Sequence, residues 1–177
     1  LITSEQGKPI NEARNEVDRA IQTLRLCGEE AKRQFGEYVP MDPQKGFNKS
    51  HAFTQREPLG VVGAITPFNF PLMLMVHKAG PALAAGNAVV ASPAIKTPLS
   101  SLLLFECLET GIRELDAQPG LINVVNGESV VGDEFVSHEA VKAISFTGST
   151  NVGKHLARNA GMRKTTLELG GNDPTIV

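Results

Sequence analysis

The stretch Gly60-Val61-Val62-Gly63-Ala64-Ile65-Thr66-Pro67-Phe68-Asn69-Phe70-Pro71 decides how this chain is read. Its first half is a short, unbroken apolar run of small and β-branched residues, the pattern of a strand buried on both faces of a sheet. Its second half sets Asn69 between Pro67 and Pro71, whose fixed φ angles stiffen a turn. Open α/β sheets bind ligands beyond the carboxyl ends of their strands. A stiff polar turn placed directly after a buried strand is therefore a candidate ligand-facing edge.

On either side of this run the rhythm is regular. Asn11 to Phe35 carries Val17, Ala20, Ile21, Leu24, Cys27, Ala31 and Phe35 at helical spacing, with Gly36 offering a left-handed stop. Tyr38 to Thr54 mixes Pro40, Pro43, Gly46 and Asn48 with polar residues, as expected of a loop or an extended hairpin arm that leaves the domain body. Leu72 to Ala85 reads as a helix interrupted at Pro81, Ala88 to Ala91 as a strand, and Thr97 as the cap of a helix beginning at Pro98 and running to Leu115. Leu121 to Val125, Ala143 to Phe146 and Thr165 to Leu169 read as strands, with helices over Ser129 to Val136 and Thr150 to Ala160 between them. Strict alternation of strands and helices requires crossover connections, which predicts an α/β fold with a doubly wound, mainly parallel sheet covered on both faces.

Composition narrows the function classes. The 177 residues are 41% hydrophobic and 20% charged, enough for one substantial core in a single domain or part of one. A formal charge of -2, with no basic run, gives no footprint for nucleic acid. His77, Lys78, Gly80 and Pro81 break the longest apolar stretches before they approach the roughly 18 residues of a spanning helix, so no membrane segment is read. Cys27 and Cys107 are too few for a disulfide scaffold, and a cytoplasmic, reducing location is the default. The start at Leu1-Ile2-Thr3, without Met or leader, and the strand-like finish Thr175-Ile176-Val177 give both ends the look of cuts.

Few segments carry chemistry. The Asn69 carboxamide is able to aim a hydrogen bond at a developing oxyanion, a donor whose loss costs about 100- to 1000-fold in turnover; equally, an Asn in a turn satisfies local backbone. Glu168 closes an apolar strand before Gly170-Gly171, where partial desolvation suits a carboxylate to taking a proton from water, and where an exposed ion pair is the competing account. Phe146-Thr147-Gly148-Ser149-Thr150 ends a strand and opens a helix, a place of free amides that welcomes anions or the polar edge of a cofactor. Gly127 and Gly132 bracket another strand-to-helix turn, although this is not GxGxxG and Glu128 repels a phosphate. Cys27 and Cys107 sit among apolar helix neighbours as small buried hydrophobes. His51, His77, His138 and His155 have no metal-ligand spacing, and no metal site is expected.

Taken together, TPFNFPL at Thr66 to Leu72, KAGPALAAGN at Lys78 to Asn87, FTGST at Phe146 to Thr150 with Val152-Gly153-Lys154 following, and LELGG at Leu167 to Gly171 resemble the aldehyde dehydrogenase superfamily in order and spacing, as does LITSEQGKP at the start. The resemblance covers essentially the whole chain. It implies an oxidoreductase with a Rossmann-like domain that binds NAD or NADP, oxidising an aldehyde to a carboxylic acid through a cysteine thiohemiacetal and thioester. It further implies Asn69 as oxyanion donor and Glu168 as the base that activates water. Cofactor contacts carried over are Ile65, Thr66, Pro67, Phe68, Ser92, Gly127, Phe146, Thr147, Gly148, Ser149, Thr150, Val152, Gly153, Leu169 and Gly170, with Ser149 and Val152 near the nicotinamide. The expected partners are a small aldehyde substrate and further copies of the chain, as a dimer or tetramer built with an arm around residues 38–54.

There are departures. The family's nucleophilic cysteine belongs to a separate catalytic domain beyond the ELGG motif, and neither Cys27 nor Cys107 has its context, so residues 1–177 are expected to be an inactive cofactor-domain fragment. Where many members have Lys-Pro-x-Glu for the adenosine ribose, this chain has Ser92-Pro93-Ala94-Ile95, which leaves NAD against NADP open and offers only Lys96 to a 2′-phosphate. The Gly127 to Gly132 turn is shorter than the usual form. The ribose segment and Ala160-Gly161-Met162-Arg163 lie closer to lactaldehyde or glyceraldehyde-3-phosphate dehydrogenase-like members than to betaine or retinal types. The rivals are a nucleotide-binding module without catalysis and a purely structural fragment.

Overall fold

The structure is a computed structural model, and it describes residues 1–177 apart from Gln44, Glu128, Thr175 and Val177. The apolar run that opens the argument forms a central strand. Counting a small hairpin first, with β1 at Tyr38–Val39 and β2 at Ala52–Phe53, this strand is β3, Val61–Ile65. It pairs in parallel with β4, Ala88–Ser92, on one side and with β6, Val141–Thr147, on the other. Beyond these lie β5, Ile122–Val124, and β7, Lys164–Glu168, both parallel to their neighbours, in the order β5-β4-β3-β6-β7.

The helices follow from that order. From β3 the chain steps outward through α3 (Met73–Ala84) to β4 and through α4 (Leu99–Glu114) to β5; it then returns through α5 (Ser129–Ser137) to β6 and continues through α6 (Thr150–Asn159) to β7. Right-handed crossovers running in opposite directions place their helices on opposite faces. Two cores result: Ala64, Met75, Val76, Ala79, Val89, Leu104 and Phe105 on one face, and Val136, Val141, Ile144, Phe146 and Leu156 on the other. The amphipathic helix α2 (Ile10–Ala31) lays Ala20 and Leu24 on the first of these, preceded by a short α1 (Ile2–Gln6). The doubly wound, Rossmann-like expectation holds. No helix among the described residues is long and apolar enough to cross a membrane.

Several local expectations change. The helix α2 stops at Ala31 with Lys32 in a right-handed conformation, and Gly36 is not left-handed. Gly36 serves a close approach instead: a Cβ there would stand 1.7 Å from the Thr54 carbonyl oxygen, where the two legs of the β1–β2 arm meet. Pro81 does not interrupt α3, which runs through it. Thr97 does not cap α4; its hydroxyl donates to the Phe68 carbonyl at 3.4 Å, and the Leu99 and Ser100 amides are capped by the Glu5 carboxylate at 2.8 and 2.9 Å. Gly132 lies inside α5 rather than in the preceding turn. Cys27 is half-buried, and burial pushes its thiol pKa up, whereas Cys107 is exposed rather than buried. The expected repulsion at Glu128 lies outside the described residues, as do Thr175 and Val177 of the strand expected at the end of the chain.

Candidate functional site at the carboxyl edge of the sheet

The chain reverses its direction of travel between β3 and β6, and strand ends converge there. Ile65 pairs with Ser92 and with Phe146, and Thr147 pairs with Glu168. Backbone bonds continue past the strands, from Thr66 N–H to the Ser92 carbonyl at 3.3 Å and from Gly148 N–H to the Glu168 carbonyl at 3.1 Å. Ligands of open sheets bind at such a switch point.

Strand alternation divides the residues between two faces. Phe146 and Leu167 belong to the α5–α6 core, so Thr147 and Glu168 project toward α3. Lys78 of α3 meets them there: its ammonium donates to the Thr147 hydroxyl at 2.7 Å and lies 3.5 Å from the Ser145 hydroxyl. Burial brings the Lys78 pKa down to about 8, opposed by the negative charge of nearby Glu168. The neighbouring His77 is lowered as well, first by burial and then by Lys78 and Arg19. The turn bearing Asn69 leads into the same helix. Asn69 and Glu168 are both exposed, so the desolvation expected at Glu168 is not supplied by the described residues.

On the α5–α6 side the strand ends open a cleft of about 880 Å³. Of the residues read from the sequence as cofactor contacts, Ile65, Thr66, Phe68, Ser92, Gly127 and Val152 line it, together with Lys96 and His155. Ser149 caps α6, accepting from the Val152 amide at 3.4 Å. The remaining residues do other work. Phe146 is buried in the core, Thr147 holds Lys78, and the Thr150 hydroxyl donates to the Gly170 carbonyl at 3.4 Å. Gly153 admits Leu169, whose methyl would lie 2.3 Å from a Cβ at that position. Gly148 lies over the Phe146 ring, and Pro67 is half-buried in the turn.

Two prolines are not all that stiffens the Asn69 turn. The Asn69 carbonyl accepts from the Gln6 amide at 2.7 Å and from the Lys8 ammonium at 2.8 Å. Glu16 takes Lys8 at 2.5 Å and accepts the Leu72 and Met73 amides at 3.0 and 3.1 Å, capping α3 from another helix. The Pro71 carbonyl is held by the Ser101 hydroxyl at 2.8 Å and the Phe70 carbonyl by the Leu74 amide at 3.0 Å. Lys8, Glu16 and Lys78 are not among the site residues read from the sequence. The only local signal was charge among apolar neighbours, as in Met73-Leu74-Met75-Val76-His77-Lys78-Ala79.

A sequence model described as the aldehyde dehydrogenase family matches residues 1–177. A lactaldehyde dehydrogenase of Methanococcus maripaludis (strain C7) is 44% identical over 177 residues, 99% of this chain and 37% of that protein. A 3-sulfolactaldehyde dehydrogenase of Priestia megaterium is 46% identical over 178 residues, 100% of this chain and 36% of that protein. Among solved structures, the glyceraldehyde-3-phosphate dehydrogenase GapN of Methanocaldococcus jannaschii, complexed with NADP, superposes with a TM-score of 0.85 at 44% identity, covering 94% of this chain and 35% of that one. The chain thus spans a little over a third of the length of these relatives.

Proposed function

The chain belongs to the aldehyde dehydrogenase family, and from that premise we propose that residues 1–177 form the cofactor-binding domain of a longer enzyme that oxidises a short aldehyde to its carboxylic acid with NAD or NADP. The nucleophilic cysteine then lies in a catalytic domain outside this chain, and the arm at residues 38–54 joins copies of the full-length protein. The observation that carries this reading is the shared edge: Asn69 follows the carboxyl end of β3 and Glu168 closes β7, with a cleft at the carboxyl ends of β3 and β4 on the α5–α6 side of that edge.

A dinucleotide suits the residues present. The cleft volume lies in the range of small-molecule sites, and the Thr66 hydroxyl is buried without a partner among the described residues, an unmet polar group for a ligand to satisfy. Thr66, Ser92, Phe68 and Val152 would hold it, with the start of α6 at Ser149 available to its polar edge. Lys96 brings positive charge to the cleft wall, which favours a 2′-phosphate and so NADP. When bound, the nicotinamide supplies the hydride acceptor.

The chain's own groups then act as follows. As the aldehyde carbon is attacked, charge gathers on its oxygen, and the Asn69 carboxamide N–H donates to that oxygen. Glu168 takes a proton from the water that hydrolyses the resulting acyl group. Lys78, whose pKa burial brings down to about 8, feels the negative charge of Glu168 nearby. The relatives named above act on lactaldehyde and 3-sulfolactaldehyde, which share a hydroxyl next to the aldehyde, and this favours a short 2-hydroxyaldehyde as substrate.

Expression of the full-length protein and assay of short 2-hydroxyaldehydes with each cofactor tests the proposal; reduction of NAD or NADP is expected, and no reduction with any aldehyde overturns it. One observation favours a second reading. Both cysteines of this chain lie on the outer helices α2 and α4, so a mature protein that ends at Val177, weighed by native mass spectrometry, would be a nucleotide-binding module without catalysis.

A further inference from the structure

We propose that Lys8 and Glu16 are positioning residues for Asn69, fixing the backbone of the Pro67–Pro71 turn and with it the point and direction from which the exposed Asn69 side chain leaves that backbone. The proposal rests on the oxyanion role given to Asn69 above. Among the described residues no group bonds to the Asn69 carboxamide, so what the protein fixes is the backbone from which that side chain leaves the turn. That backbone is gripped through its carbonyl by Gln6 and by Lys8. Lys8 is itself almost completely enclosed, with its ammonium shared among the Glu16 carboxylate, the Asn69 carbonyl and the face of Phe70, 3.6 Å from the ring centroid.

Glu16, 1% exposed, completes the frame from the other end of the turn through the Leu72 and Met73 amides. A buried ion pair is a poor source of stability, since well-packed apolar replacements are often as stable or more so. This pair is fully satisfied, and apart from their bond to each other every bond its two charged groups make ends on residues 69 to 73. What the pair does for the molecule is therefore to hold that turn. A displacement of about 1 Å in a group that aligns the reacting atoms costs on the order of 100-fold in rate.

The test uses the full-length protein with K8M, E16Q and the paired K8M/E16Q, each made in the Asn69 and the N69A background. Glu16→Gln keeps an oxygen for the helix amides while removing the charge that faces Lys8, and the paired variant leaves no unpaired buried charge to unfold the protein. First-turnover hydride transfer in K8M/E16Q is expected to fall roughly 10- to 100-fold, with the KM for the cofactor unchanged and the protein still folded at the assay temperature, and with no further fall when N69A is already present. An undiminished first-turnover rate in K8M/E16Q, or the same fall in both backgrounds, overturns the positioning role. If N69A alone retains the wild-type rate, it is the oxyanion reading that fails, and the positioning role falls with it.

Discussion

The ammonium of Lys78 donates to the hydroxyl of Thr147 at 2.7 Å, tying the middle of α3 to the carboxyl end of β6. Lys78 is only 5% exposed, and its pKa stands at about 8 against an ordinary 10.5, with burial as the main cause. Between those values the unfolded chain binds more protons than the folded one, so stability rises with pH across that window and is lowest below about pH 8. The difference is on the order of 3 kcal/mol. Urea unfolding followed from pH 7 upward should show this rise in the wild type and lose it in Lys78→Met. Parallel profiles for the two proteins would remove Lys78 as its source.

For the enzyme proposed above, Glu168→Gln is expected to leave the first burst of reduced cofactor intact while slowing steady turnover by about 100-fold or more. Rapid-mixing absorbance at the reduced-nicotinamide band separates the two phases. A normal steady rate after a normal burst would rule out the base.

Glu5 caps α4 from α1, accepting from the Leu99 and Ser100 amides and from the Ser100 hydroxyl. Glu5→Ala should cost about 1 to 2 kcal/mol of stability, the usual worth of a lost cap. Glu5→Gln should cost less, because an oxygen remains. Chemical denaturation of both variants checks the order, and equal losses would contradict the account.

Gly36 has the Thr54 carbonyl where a side chain would go. Gly36→Ala is expected to part the two legs of the β1–β2 arm, breaking the bonds of Glu37 to Thr54, while the main sheet keeps its melting temperature. In the full-length protein the expected readout is a fall in oligomer mass by light scattering. An unchanged mass would separate the arm from assembly.

Much of the sheet was legible because its strands are buried on both faces and therefore read as continuous apolar runs, as in Val61–Ile65 and Ala88–Ser92. The strand-to-helix turn at Phe146 to Thr150 was legible because its interactions are local: Ser149 caps α6 and needs no distant partner. What periodicity misses is pairing across long stretches of chain. Glu5 meets Ser100, Glu16 meets Leu72, and Lys8 meets Asn69, and each looks in sequence like one more charge on a solvated helix or loop. Lys78 was hidden for a related reason: a single charge in an apolar helix acquires meaning only when the strand it reaches is known. The end of α2 was misplaced because Gly36 answers to a backbone 18 positions away in Thr54 rather than to the helix before it.

The two acidic caps have a practical corollary for anyone trimming this protein. A truncation that began at the first strand of the main sheet would keep every parallel strand and every crossover helix, yet α3 and α4 would both start with bare amides and the turn between Pro67 and Pro71 would lose its anchor. Any trimmed form therefore has to keep Glu5, Lys8 and Glu16, because the N-terminal helices that carry them hold the starts of α3 and α4.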